Sequence, residues 1–204
     1  MVEGQDFTSA SSVVGSRLNG VMIAAAFIVV FGLMLIEARR ATRNERAQRW
    51  RGGIEASGDV YQAMRLVYPA AFLTMFAEGA MRGRHGTWAL ISGATLFGCA
   101  KVLKWWAIAT LGPFWTFRVI VLPGVPLVAS GPYRWMRHPN YVGVIGELIG
   151  TALITGAVLS GPVVTAIFMA LLSKRIDVES RMLHAARSPV PTSKQDVPPP
   201  TRRT

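Results

Sequence analysis

The residues best suited to chemistry lie in one polar, turn-rich stretch of an otherwise apolar sequence: Gly131-Pro132-Tyr133-Arg134-Trp135-Met136-Arg137-His138-Pro139-Asn140-Tyr141-Val142-Gly143. Pro132 and Pro139 fix φ and bias the residue before each away from the helical region, so a rigid, extended backbone is expected here. Such a backbone presents Tyr133, Arg134, Arg137, His138 and Tyr141 at the mouth of an apolar helix that begins near Tyr141. A molecule with both polar and apolar parts would fit there. Arg, Tyr and Trp also collect at membrane interfaces for no catalytic reason, and the residue types alone leave both readings open.

Further along, Arg175 and Glu179 are four residues apart and share one helix face. An interfacial ion pair would account for them. Beside a water-poor cleft, Arg175 could instead hold an acidic oxygen of a substrate while Glu179 orients the guanidinium or accepts from a cofactor. Glu147 falls about two turns into an apolar helix, where a carboxylate is costly and normally faces a partner or a wet cavity. It is either a structural hydrogen-bonding group or a general base. Gly143, Gly146 and Gly150 surround it at small-residue spacing, which suits close helix packing, and Gly143 could also leave room for a cofactor. Glu78 reads as interfacial. His85, His138 and His184 lack paired ligand spacing, so no metal site is expected. No G-x-G-x-x-G follows a strand, so a Rossmann domain is not supported.

Gly131-Pro132-Tyr133-Arg134 followed by Arg137-His138-Pro139-Asn140-Tyr141-x-Gly143 resembles the cofactor motif of the isoprenylcysteine carboxyl methyltransferase family. Arg175-x-x-x-Glu179, Lys104-Trp105-Trp106-Ala107-Ile108 and Leu111-Gly112 extend the resemblance. Arg43-Asn44-Glu45-Arg46 and Arg51-Gly52-Gly53-x-Glu55 look like a bacterial branch associated with polyketide-derived phenolic or pyrone lipids. The likeness covers residues 39 to 183. It implies an integral-membrane enzyme that uses S-adenosylmethionine, bound through Tyr133, Arg137, His138, Pro139, Tyr141 and Gly143, with Arg175, Glu179 and Glu147 as catalytic candidates. The implied acceptor is lipophilic: a prenylated carboxylate, or a phenolic or pyrone hydroxyl.

The elements that must position these groups follow from composition. Half of the 204 residues are hydrophobic, and they come in long blocks that approach the roughly 20 residues needed to cross a hydrocarbon core. The net charge of +11 does not point to nucleic acid, because the basic residues flank the apolar blocks as in loops near anionic lipid. The fold class expected is all-α: a membrane bundle of about five spans with a cytoplasmic cofactor loop and a C-terminal interfacial helix. The spans are 18–36, 66–80, 87–111, 141–159 and 163–173, within a domain 17–187. An unstructured arm (1–16) and a Pro-rich tail (188–204) flank it. No cleavable leader is expected before the first span, which would itself direct insertion. Residues 37–65 read as a charged connection, and the prolines of 112–140 exclude regular helix from most of that loop. Lys101 and Lys104 should snorkel toward one interface, with Trp105 and Trp106 in the aromatic belt. Cys99, the one cysteine, reads as a packing residue. The apolar part of the fifth span rises only about 16 Å, so its helix must continue through Arg175 and Glu179 or be re-entrant.

With the 37–65 connection, the 112–140 loop and the C-terminus on one side, seventeen lysines and arginines lie there against three on the other. The positive-inside rule makes the larger side cytoplasmic, and the resemblance to a bacterial branch implies the inner membrane of a bacterial cell. Two competing readings stand beside the methyltransferase. One is a sterol-type reductase using NADPH, whose motif is similar but is usually followed by an acidic residue where Val142-Gly143-Val144 stands. The other is a non-catalytic membrane scaffold.

Overall fold

The structure, a computed structural model, describes the backbone of residues 3–82 and 86–187 and the side chains of residues 20–82 and 86–184. Five α-helices carry most of it: α1 Glu3–Trp50, α2 Tyr61–Arg82, α3 Thr87–Leu111, α4 Pro139–Thr155 and α5 Ser160–Arg187. The all-α expectation gains one addition. Strands β1 (Ile54–Glu55) and β2 (Ile120–Val121) pair antiparallel, with Ile54 opposite Val121 and Glu55 opposite Ile120. The expected tail and His85 lie outside the described residues. Residues 3–16, expected as a separate arm, follow a helical course continuous with α1.

The charged connection after Glu37 is another departure. Its first part, to Trp50, remains helix because Ala, Arg, Glu and Gln are good helix formers and no proline intervenes. The turn comes at Gly52, which takes φ 82°. The inner face of this extension fastens the long loop. Asn44 Nδ2 donates to the carbonyls of Gly112 (3.0 Å) and Trp115 (2.8 Å), and Gln48 Nε2 donates to that of Pro113 (3.0 Å). Glu45 accepts from the amides of Phe117 and Arg118.

By length and apolarity, the Gly20–Trp50 part of α1 is the one described helix that qualifies by itself as a membrane span. The other helices are shorter or carry ionised groups within their apolar stretches, as Lys101 and Lys104 in α3 and Glu147 in α4. Their outward surface is nonetheless greasy: Leu66, Val102, Val142 and Val163 are exposed, on four different helices. Cys99 is also exposed, on α3, and not packed inside. The interior is built from Phe72, Met75, Val144, Leu148, Phe168 and Leu172.

α5 runs unbroken through Arg175 and Glu179, so it continues instead of turning back. The turn before it falls at Gly156, whose φ of 63° ends α4, while Pro162 occupies the first turn of α5, where its missing N–H costs nothing. Glu78 serves this turn, accepting from the amides of Leu159 (3.1 Å) and Ser160 (2.7 Å) and from the Ser160 hydroxyl (2.6 Å).

α3 and α4 touch backbone to backbone. A Cβ on Gly150 would lie 2.8 Å from the Phe97 nitrogen and 2.9 Å from the Gly93 oxygen, and one on Gly93 would lie 2.8 Å from the Gly150 oxygen. Those atoms belong to helix backbone and have no rotamer to change. Gly150→Val should therefore cost about 1–3 kcal/mol, read as a lower apparent melting temperature in mild detergent. An unchanged midpoint would mean that the two helices are not in this register.

Candidate functional site

The motif folds as a tight turn followed by a helix start, and not as the extended segment expected. Gly131–Arg134 forms one 3-10 turn. Gly131 has φ 56°, and a Cβ there would meet Thr110 Oγ1 at 2.5 Å, so only glycine lets the turn lie on the end of α3. Pro139 is the first residue of α4 and His138 its N-cap, two residues earlier than expected, because proline is preorganised for that position. The amides of Tyr141 and Val142 donate to the His138 carbonyl, which leaves the His138 ring outside the helix. That ring stacks on Tyr141, with centroids 5.1 Å apart and planes inclined by 9°.

α5 brings Arg175 and Glu179 to the same place, although they do not pair directly. The Tyr141 hydroxyl stands between them: Arg175 Nε donates to it (3.0 Å), and it donates to Glu179 Oε2 (2.8 Å). His138 Nδ1 lies 3.9 Å from the same carboxylate oxygen. Behind Arg175 stands Asp59, whose Oδ1 accepts from Arg175 Nη1 at 3.3 Å. Asp59 is fixed in turn by the amides of Tyr61 (3.1 Å) and Val119 (3.0 Å). The result is a chain of polar groups from the buried Asp59 and Arg175 to the more open Glu179 and His138, whose side chains are 31% and 27% exposed.

Tyr133 is half-buried near this carboxylate, and burial together with the Glu179 charge pushes its phenol well above the ordinary value. It is therefore a neutral donor at physiological pH. Arg134 and Arg137 are exposed on the turn, while Pro139 and Pro132 are buried beneath it. Trp135 meets Trp106 edge to face at 5.8 Å.

Gly143 does not join this site. A Cβ there would lie 2.9 Å from Lys104 Cβ and 3.1 Å from the Ala100 carbonyl oxygen, so its bare backbone makes room for α3 and not for a ligand. Glu147 is also elsewhere, about 9 Å further along α4 than Tyr141. Its partners are Lys101 (2.9 Å), Lys104 (3.3 Å) and the Tyr68 hydroxyl. Glu37 closes the cluster, 2.8 Å from Lys101 and 2.7 Å from Lys104. Lys101 and Lys104 thus do not snorkel; two buried carboxylates hold them inside. Two acids, two bases and a phenol from α1, α2, α3 and α4 meet at one level, each charge opposed by a neighbour.

Asp59, Glu37 and Tyr68 were not among the residues expected here. For Asp59 a signal existed, since Asp two residues before a helical stretch often caps or turns its start. Nothing local marks Glu37 or Tyr68, whose partners lie 64 and 79 residues away. Among the described residues no group of three or more His, Cys, Asp or Glu side chains forms a potential metal site.

The sequence profile of the isoprenylcysteine carboxyl methyltransferase family matches residues 93–185. An uncharacterised protein of Bacillus subtilis (strain 168), YpbQ, is 32% identical over 144 residues, covering 70% of this chain and 85% of its own. This chain belongs to the isoprenylcysteine carboxyl methyltransferase family. A second relative, an uncharacterised protein of Haemophilus influenzae, is 24% identical over 164 residues, 79% of this chain and 95% of its own. No solved structure is a significant match. The family is one of membrane-integral methyltransferases. The matched segment holds the motif turn, α4, Arg175 and Glu179, together with both lysines of the buried cluster. Asp59, Glu37 and Tyr68, supplied by α1, α2 and the connection between them, lie outside it.

Proposed function

We propose that this methyltransferase takes its methyl group from S-adenosylmethionine and delivers it to an oxygen of a lipophilic acceptor at the cytoplasmic face of the membrane. The observation that carries this reading is the convergence of His138 and Tyr141 with Glu179 and Arg175 where apolar helices reach water. The five helices are five membrane segments in this reading, with the motif turn and C-terminus on the strongly basic side.

The residues present fit the donor. The stacked His138 and Tyr141 rings offer a flat surface to adenine. Glu179 is an acceptor for an ammonium or for ribose hydroxyls, and the exposed Arg137 is a partner for a carboxylate. Asn140 Oδ1 is buried without a hydrogen-bond partner among the described residues, an acceptor left for a ligand donor. When bound, S-adenosylmethionine supplies a methyl carbon made electrophilic by its sulfonium.

The chain's own contribution is mainly positioning. Asp59 and the Tyr141 hydroxyl hold Arg175, so its remaining N–H groups have a fixed direction toward an acceptor oxygen. A carboxylate acceptor is already ionised and needs no base. A phenol or enol must lose its proton, and Glu179, the most open carboxylate of the array, is the group to take it. Glu147, enclosed by two ammonium groups, is a structural group in this reading.

Calorimetry on detergent-purified protein tests the donor. S-adenosylmethionine should bind and NADPH should not, and His138→Ala should weaken binding about tenfold or more through loss of the stacked surface. Binding of NADPH alone would favour a reductase, and binding of neither a scaffold.

A further inference from the structure

The cytoplasmic part of α1 has two unlike faces. Glu37, Ala41, Glu45 and Gln48 are buried against the rest of the chain. On the opposite face Val21, Ile28, Leu35, Arg39, Arg43 and Arg46 succeed one another in a single exposed stripe. Val21, Ile28 and Leu35 are 68%, 69% and 52% exposed, as side chains that meet hydrocarbon would be. At position 39 the same stripe changes to arginine without changing direction. Arg39 to Arg46 then covers about 10 Å of helix, enough to cross a headgroup layer of roughly 6 Å per leaflet.

Several basic groups near these arginines are neutralised by carboxylates. Arg49 and Arg118 both reach Glu55, and Arg175 reaches Asp59. Among the described residues, Arg39, Arg43 and Arg46 have no acidic neighbour within ion-pair distance. With Ala38 and Thr42 they line a shallow trough of about 480 Å³. Three uncompensated guanidinium forks around one concavity suit phosphate oxygens, which they bind in pairs of parallel hydrogen bonds. We propose that this trough is a binding site for the phosphodiester headgroup of an anionic phospholipid of the cytoplasmic leaflet. A lipid and not a soluble phosphate is the occupant, because the stripe that lines the trough continues the surface exposed to acyl chains. The proposal rests on α1 as a membrane span and is independent of methyl transfer.

Native mass spectrometry of the full chain, released from mixed micelles of equimolar phosphatidylglycerol and phosphatidylcholine, tests it. The wild type should retain phosphatidylglycerol preferentially. Arg39→Gln/Arg43→Gln/Arg46→Gln should lower that retention about tenfold or more, with circular dichroism unchanged in phosphatidylcholine micelles. Should the triple variant fail to fold, Arg43→Gln alone should still lower retention several-fold. The triple Arg→Lys variant separates a built site from bulk charge: its retention should fall well below wild type, because an ammonium lacks the fork. Full retention by the lysine variant, or by the glutamine variant, would overturn the proposal. So would displacement of the lipid by an equal concentration of inorganic phosphate, which would make the trough a site for soluble anions.

Discussion

Tyr141→Phe should lower turnover about a hundredfold while leaving the protein folded, inserted and able to bind its donor. The ring remains, so the stack on His138 and the packing of α4 are kept. Only the hydroxyl between Arg175 Nε (3.0 Å) and Glu179 Oε2 (2.8 Å) is lost. Arg175 then keeps Asp59 as its partner but loses the contact that fixes its other edge, and displacement of a positioning group by about 1 Å costs on the order of 10²-fold. Variants of these residues should not combine independently. Arg175→Lys should be badly impaired, since lysine keeps the charge and loses the planar fork that meets Asp59 and Tyr141 together. Adding Tyr141→Phe to Arg175→Lys should cost little more, because groups that act as a unit fail together. Kinetics of the two single variants and the double one decide this. Independent, multiplying losses would mean that the two residues act separately.

Lys104→Met should be the most destabilising single change in the interior, at about 3–5 kcal/mol. It leaves Glu37 and Glu147 facing one ammonium, Lys101, at 2.8 Å and 2.9 Å. Lys104→Met/Glu147→Gln removes one charge of each sign and retains the pair between Lys101 and Glu37. That double variant should regain most of the lost stability. Apparent melting temperatures at one fixed scan rate in one detergent give the comparison. A double variant worse than Lys104→Met would show that the cluster is not balanced as described. Both variants should leave donor affinity per folded molecule nearly unchanged, which distinguishes this cluster from the array around Tyr141.

How much the sequence revealed depended on whether the signal was local. The helix expected over 87–111 coincides with α3, because Gly86 and Gly112 bracket an apolar run free of proline. The meeting of the motif with Arg175 and Glu179 was legible only through the family resemblance, since spacing alone placed the pair on one helix face and no more. The Tyr141 hydroxyl as their bridge was not legible, because it depends on the rotation of α5 against α4. Lys101 and Lys104 misled for a physical reason. α3 is apolar on every side, so periodicity does not say whether a lysine points to the interface or to carboxylates on other helices. Gly143, Gly146 and Gly150 all match the packing expected, as their missing Cβ atoms would meet Lys104, Ala100 and Phe97; the further role offered for Gly143, room for a cofactor, finds no space. The helical continuation from Glu37 to Trp50 was concealed by its charge, which suggested a connection although its residues favour helix.

Methyl transfer to a lipophilic oxygen can be followed by incubating protein in liposomes with methyl-labelled S-adenosylmethionine and a lipid extract of the native host, then counting label in the organic phase. Label should appear in that phase with the wild type and fall about a hundredfold with Tyr141→Phe or Arg175→Lys at equal amounts of folded protein. Absence of organic-phase label with the wild type, or equal label with the variants, would contradict methyl transfer at this site.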